Sequence, residues 1–262
     1  MDKFSTVTIR ETKESKRVKI SSDVKPKILD TIIQKWQSLL DTLAKVVDVP
    51  SGLIMRLNEG TIEVFLKSNI QGNPYIGGEE AKLIYGFYCE TVIGKQMQLI
   101  VPDATKSKDW KFNNPDVALG MISYMGVPIN WPDGECFGTV CVLDNKENHY
   151  NRDLEDLLTQ IKQHIEVDLE LILTNQQLEE LNDTKTKFLS LISHDIRGNI
   201  GNADQLLKLI IENFDIYDSS KIKDTLLSLN QSLSESFLTL DGLLSWSKRE
   251  ILQIKPNITQ LV

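Results

Sequence analysis

Residues 124–147, YMGVPINWPDGECFGTVCVLDNKE, hold two apolar runs, Tyr124 to Ile129 and Phe137 to Leu143, on either side of a polar break rich in Asn, Pro, Asp and Gly. Runs of this length bounded by turn residues read as strands of a sheet. The pattern recurs upstream at Leu53 to Leu57, Ile62 to Leu66 and Met97 to Val101, with Asn58, Glu59 and Gly60 as the tip of a first hairpin. An antiparallel sheet is therefore predicted between Gly52 and Asp144. Glu79 to Val92 and Asn113 to Met121 are predicted short helices or loops that roof one of its faces.

On both sides of the sheet the period changes. From Pro26, the positions Ile28, Leu29, Ile32, Ile33, Trp36, Leu39, Leu40 and Leu43 recur at three and four, which predicts an amphipathic helix closed before Pro50. Residues 1–25 have no sustained periodicity and are predicted to be a mobile arm or a loosely docked strand. After Tyr150 the pattern is helical, first with Leu157, Leu158, Ile161, Ile165, Leu169 and Ile172. Then Leu171, Leu178, Leu181, Phe188 and Ile192 fall on a and d of a heptad, with Thr174 and Lys185 as polar interruptions and a stutter near Leu171. Asn175 to Lys187 carry too little other apolar surface to be held by anything but a partner helix, so a dimeric coiled coil is expected. Helix continues to about Phe214. Asp215 to Ser220 make a polar turn, and Ile222, Leu226, Leu229, Leu233, Phe237, Leu240 and Leu244 mark a second helix. Such a hairpin cannot cover both stripes alone, and two copies would close a four-helix bundle.

Composition limits what the chain can do. It has 262 residues, 29 Lys plus Arg against 37 Asp plus Glu, and a net charge of −8, so it offers no basic surface for nucleic acid. At 41% apolar and 25% charged residues it is expected to fold, as about two domains. No stretch approaches the roughly 18 uncharged residues of a membrane span. The odd set Cys89, Cys136 and Cys141, without a CxxC pair, argues against structural zinc and disulfides and fits a reducing cytoplasm. Cys136 and Cys141, five apart on one strand, are expected on opposite faces.

On a helical wheel starting at Ile192, the set Ile192, Ile196, Ile200, Ala203, Leu207, Ile210 and Phe214 centres near about 34°, while His194 falls near about 200°. The imidazole is thus predicted to face outward among Ser190, Arg197, Gly201, Lys208 and Glu212. An exposed imidazole is a nucleophile near neutral pH, and the neighbouring carboxylate of Asp195 can fix its tautomer and stabilise positive charge as the other nitrogen attacks phosphorus. Arg197 could attract a phosphate arriving on the same face.

The stretch Phe188 to Gly201, FLSLISHDIRGNIG, resembles the phosphoacceptor box of sensor histidine kinases of two-component signalling, with a HisKA-type dimerisation hairpin over about residues 180–250 that ends in LLSWSKRE. The resemblance implies His194 as the autophosphorylated residue, Asp195 as its acid/base partner, Arg197 as a phosphate contact, a homodimer, and a response-regulator receiver domain as partner. Two positions depart from the family. Gly198 stands where many relatives carry the Asn or Thr that positions water for phosphatase activity, and Asn199 stands in place of proline. A flexible or kinked turn at Gly198 to Gly201 is therefore expected. The family's reaction also needs an ATP-binding domain with ATP and Mg. Only sixteen residues follow Trp246, and Ile254 to Val262, IKPNITQLV, looks like the linker into such a domain. This chain alone is expected to hold no nucleotide and to need a supplied catalytic domain.

Segments FYCETVI, LIVPDATKSKDWKFNNP and GVPINWPDGECFGTVCVLDNKE are similar to GAF sensory domains, over about residues 27–170. The likeness implies an α+β fold: a GAF-like antiparallel sheet with flanking helices and a roofed pocket, then the coiled coil and the hairpin of a dimeric bundle. The expected partition is an arm over 1–25, a GAF domain over 26–170, a coiled-coil linker over 171–187, a phosphotransfer hairpin over 188–250 and a linker over 251–262. Among family ligands, a bilin fits poorly because Glu90 follows Cys89. The cyclic-nucleotide pattern is only shadowed by Asn145, Lys146 and Tyr150 to Glu155, and haem would rely on Cys89, a residue type more often packed in a core. The GAF ligand is left unidentified. A non-enzymatic GAF ligand-binding adaptor, its hairpin serving only to dimerise, is the alternative reading.

Overall fold

The computed structural model describes residues 4–21, 25–84, 86–112 and 114–253. The chain splits into two compact units, one ending at Gln177 and the other starting at Leu178. In chain order the first unit holds β1 (Phe4–Ile9), β2 (Glu14–Lys19), α1 (Asp30–Val47), β3 (Ser51–Leu57), β4 (Thr61–Lys67), β5 (Glu80–Lys82), α2 (Tyr88–Lys95), β6 (Leu99–Val101), α3 (Pro115–Ala118), β7 (Ser123–Asn130) and β8 (Cys136–Asp144). The long α4 (Arg152–Glu212) begins in this unit and runs into the second, which α5 (Ser219–Gln253) completes.

Six strands form one sheet in the order β5-β4-β3-β8-β7-β6, each neighbouring pair antiparallel. Side chains alternate between its two faces because successive Cβ atoms point to opposite sides of a strand. Met125, Val127 and Ile129 of β7 join Trp36, Leu40 and Leu43 of α1 and Leu158, Ile161, Ile165 and Leu169 of α4 in one core. Leu53, Met55, Ile62, Val64 and Tyr124 face the other way, into a core capped by Tyr88, Val92 and Ile93 of α2. The sheet therefore has helices beneath it and a roof above it, as the α+β reading expected.

One bulge changes the faces of β8. Ile129 pairs with Gly138 and Asn130 with Cys136, leaving Phe137 as an extra residue. Phe137 thereby turns toward α1 and meets Trp36 edge to face, centroids 5.9 Å apart. The expectation that Cys136 and Cys141 lie on opposite faces fails for this reason: the inserted residue shifts the parity, and both sulfurs belong to the upper core.

For the described part of residues 1–25, where a mobile arm or a loosely docked strand was expected, β1 and β2 form a docked hairpin in register from Phe4 opposite Lys19 to Ile9 opposite Glu14. Val7 and Ile9 are buried, and Gly94 of α2 lies close to both, a Cβ there coming within 3.1 Å of the Val7 side chain. Only Ser5, Val7 and Ile9 alternate inward, and β2 is almost wholly exposed, so the periodicity is too short to stand out.

In the second unit α4 continues as helix through Gly198 and Gly201, where a flexible or kinked turn was expected. Nothing lies within 4 Å of a Cβ placed at either glycine, and helical hydrogen bonding outweighs their weak propensity. Asn213 to Asp218 turn the chain into α5, whose first turn is capped by Asp218 Oδ1 accepting from Lys221 N at 2.7 Å. Of the expected linker over 251–262, residues 254–262 lie outside the described residues.

Candidate functional site

The hairpin presents one candidate. Ala203 and Ile210 of α4 are buried and Ile192 and Ile196 half-buried, and they face Thr225, Ser232 and Ser236 of α5 across a small, partly polar seam. Asn202 Nδ2 donates to Ser232 Oγ at 2.9 Å within it. The apolar stripe read from sequence divides: its centre packs inward, while Ile200, Leu207 and Phe214 on α4 and Leu226, Leu233, Phe237 and Leu240 on α5 stay exposed. With one face of α4 committed to α5, the opposite face is left to solvent. His194 sits there with 89% of its side chain exposed, beside Asp195 at 67%. Nδ1 of His194 lies 3.4 Å from Oδ1 of Asp195, a long contact that directs that ring nitrogen to the carboxylate and leaves Nε2 outward. Arg197 and Gly198 are exposed on the same stretch. The arrangement offers an accessible nucleophile with an anionic neighbour, which is what attack on an electrophilic phosphorus requires.

The first unit presents the other candidate, a cavity of about 190 Å³ between the upper sheet face and its roof. Leu53, Met55, Ile62, Val64 and Leu143 make an apolar floor; Tyr75, Phe87, Cys89, Pro115, Asp116 and Leu119 close it, and Glu79, Glu80 and Ala81 stand at its exposed side. The stretch from Asn114 to Met121 contributes its key group. Asn114 Oδ1 accepts from Asp116 N at 2.9 Å, capping the single turn of α3 and setting the Asp116 carboxyl under the roof. There Tyr75 donates its hydroxyl to Asp116 Oδ1 at 2.7 Å. Burial raises the Asp116 pKa to about 6, against the opposing pull of that hydrogen bond. Burial likewise pushes the Tyr75 phenol well up.

Behind this carboxyl the roof is aromatic and thiol-bearing. Tyr88 stacks on Tyr124 with centroids 4.8 Å apart, and the Tyr124 hydroxyl lies 3.4 Å from Cys89 Sγ. Cys89 Sγ is 3.9 Å from Cys141 Sγ, both as free thiols. Burial drives the Cys141 thiol well above its usual range. Gly126 makes this possible, since a Cβ there would collide with the Tyr124 hydroxyl. Among the described residues no cluster of three His, Cys, Asp or Glu could hold a metal ion.

Asp116 and the Cys89 and Cys141 pair were not singled out from sequence. The Asn-Pro-Asp order was a cap signal, but burial of the carboxyl depends on the roof closing over it. Asp103 serves its own turn: it accepts from Thr105 N at 2.9 Å and Oγ1 at 2.6 Å and does not line the cavity. Trp110 and Tyr124 are core residues, whereas Phe112 is exposed. Among the described residues no helix is long and apolar enough to cross a membrane.

The profile of the GAF domain family matches residues 31–169. A search of curated proteins finds no match. Among solved structures, the blue-light absorbing form of the Thermosynechococcus elongatus PixJ GAF domain is similar at 12% identity, covering 60% of this chain and 96% of that one, with a TM-score of 0.47. A domain assigned to a two-component sensor histidine kinase of Sinorhizobium meliloti is similar at 12% identity, covering 60% and 99%, TM-score 0.40. A type II free methionine-R-sulfoxide reductase from Thermoplasma acidophilum is similar at 14% identity, covering 53% and 93%, TM-score 0.41.

Proposed function

The chain belongs to the GAF domain family, and from that premise we propose that it joins a ligand-sensing GAF domain to the phosphoacceptor hairpin of a sensor histidine kinase. The observation that carries the reading is the outward imidazole of His194 beside Asp195, set opposite the seam that holds α4 to α5. In this reading a catalytic domain holding ATP and Mg would supply the γ-phosphoryl group, the N–P bond to His194 Nε2 forming as the bond to the departing ADP breaks. Asp195 stabilises the imidazolium that forms, and Arg197 steadies the incoming phosphate. The phosphoryl group then passes to an aspartate of a receiver domain.

The homodimer belongs to the same proposal. Leu171, Leu178 and Leu181 along α4 are each more than half exposed, as is Phe237 on α5, and a second copy would cover them by closing the coil and a four-helix bundle. Ligand in the GAF cavity would bias the coil and so the encounter of His194 with its phosphate donor. A purely ligand-binding adaptor would share the cavity and the dimer but leave the His194 and Asp195 pair without a task.

The test supplies a histidine-kinase ATP-binding domain with labelled ATP and Mg to the full chain and follows acid-labile, base-stable phosphate. Uptake that disappears in His194→Ala, and label that moves on to an added receiver domain, supports the reading. Undiminished uptake by His194→Ala refutes it.

A further inference from the structure

The ligand of the cavity has a chemistry that can be read from its walls, an inference resting on the proposal that the GAF domain senses a small molecule there. An engineered apolar cavity of about 150 Å³ holds one benzene ring, so about 190 Å³ accommodates a single ring with a short substituent. The floor, made by Leu53, Met55 and Val64, suits that ring. Beside the Tyr75 hydroxyl and the Cys89 thiol, the acidic and basic side chains of the lining are all of one sign. Asp116, Glu79 and Glu80 bring three carboxylates to the lining, and among the described residues no Lys or Arg joins them. Arg10, which acts electrostatically on Asp116, donates to the carbonyls of Asp109 and Phe112 and is not part of the lining. A phosphate or carboxylate ligand would be repelled at the short separations and low dielectric of this site; a cation would be drawn in.

We propose that the cavity binds a small single-ring amine, its ring on the sheet floor and its ammonium group hydrogen-bonded to the Asp116 carboxylate, with Glu79 and Glu80 attracting it at the mouth. Tyr75, donating to Oδ1, holds the carboxyl in place. Because burial holds Asp116 partly protonated near pH 6, an ammonium ligand binds the ionised form and its affinity rises as pH climbs through that value. The titratable groups that interact with Asp116 are Tyr75, Tyr88, Tyr124, Arg10 and Cys141, and Cys89, Glu79 and Glu80 share its cavity. Tyr75 and Cys141 are pushed upward by burial, away from this window.

Isothermal titration of the full chain with benzylamine, benzyl alcohol and benzoate tests the class. Benzylamine is expected to bind at least about tenfold more tightly than benzyl alcohol at about pH 7.5, to lose that advantage at about pH 5, and benzoate to give no signal. Asp116→Asn should bring the amine to the level of the alcohol, and Leu119→Trp, at a half-exposed wall position, should block all binding without touching Asp116. Benzyl alcohol or benzoate binding as well as the amine would overturn the amine class while leaving a ligand site standing. An unchanged amine affinity in folded Asp116→Asn would do the same. No binding by any of the three would overturn both the class and the sensory reading of the cavity.

Discussion

Trp36 Nε1 donates a 2.8 Å hydrogen bond to Asp168 Oδ2, and Lys35 Nζ reaches Oδ1 of the same carboxylate at 2.7 Å, so one nearly buried acid ties α1 to the first part of α4. A buried carboxylate without partners would be costly; here the indole and ammonium satisfy both oxygens, and the apolar faces of the two helices meet beneath the sheet.

The two partners of Asp168 are not equivalent. Asp168→Ala strands a buried indole N–H and should lower the unfolding free energy by about 2 to 3 kcal/mol. Lys35→Ala removes a half-exposed partner and should cost less than about 1 kcal/mol. Urea unfolding of the two variants beside the parent chain checks the order, and an equal loss in both would contradict it.

Asp116 makes stability pH-dependent in the direction opposite to most carboxyls. Its pKa rises from 3.8 to about 6 on folding. Between those values the folded chain keeps a proton that the unfolded chain has released, so this group's contribution falls as pH rises and is level above about 6. The shift corresponds to about 3 kcal/mol. Asp116→Asn should therefore gain about that much relative to the parent between about pH 4 and about pH 7, read as the difference in unfolding free energy across the range.

Three glycines respond differently to an added methyl. At Gly138 the new Cβ would meet the Met55 carbonyl, which is backbone of β3 and cannot move aside, so Gly138→Ala should cost more than about 3 kcal/mol. At Gly126 the Tyr124 side chain is in the way and must leave Cys89, for a loss of about 1 to 3 kcal/mol. Gly201 has open space in a helix, and Gly201→Ala should stabilise the hairpin by up to about 1 kcal/mol. Thermal melts of the three variants give the ranking.

The exposed stripe of α5 predicts a change of assembly. Replacing Leu233 and Phe237, 39% and 68% exposed, by Asp should weaken self-association by at least about a hundredfold while leaving the helix content unchanged. Sedimentation velocity across a concentration series, with circular dichroism alongside, measures both. An unchanged sedimentation profile would remove this face from the proposed dimer.

Sequence alone determined the features that depend on local period and turn chemistry. The apolar run at Tyr124 to Ile129, the tip at Asn58 to Gly60, the helical stripe on Trp36 and the outward angle of His194 were all legible, because each follows from local composition or from where consecutive side chains point along a regular backbone. Folding in three dimensions decided what depends on residues far apart in the chain. The extra residue at Phe137 reversed the parity of Cys136, the roof brought Cys89 to Cys141 across fifty-two positions, and closure over Asn114 buried the Asp116 carboxyl. Packing of α4 on α5 also split a uniform apolar stripe into a covered half and an open one. None of these has a short-range signature, since a bulge, a long-range contact and a desolvated acid acquire their energies only from the neighbours that the completed fold supplies.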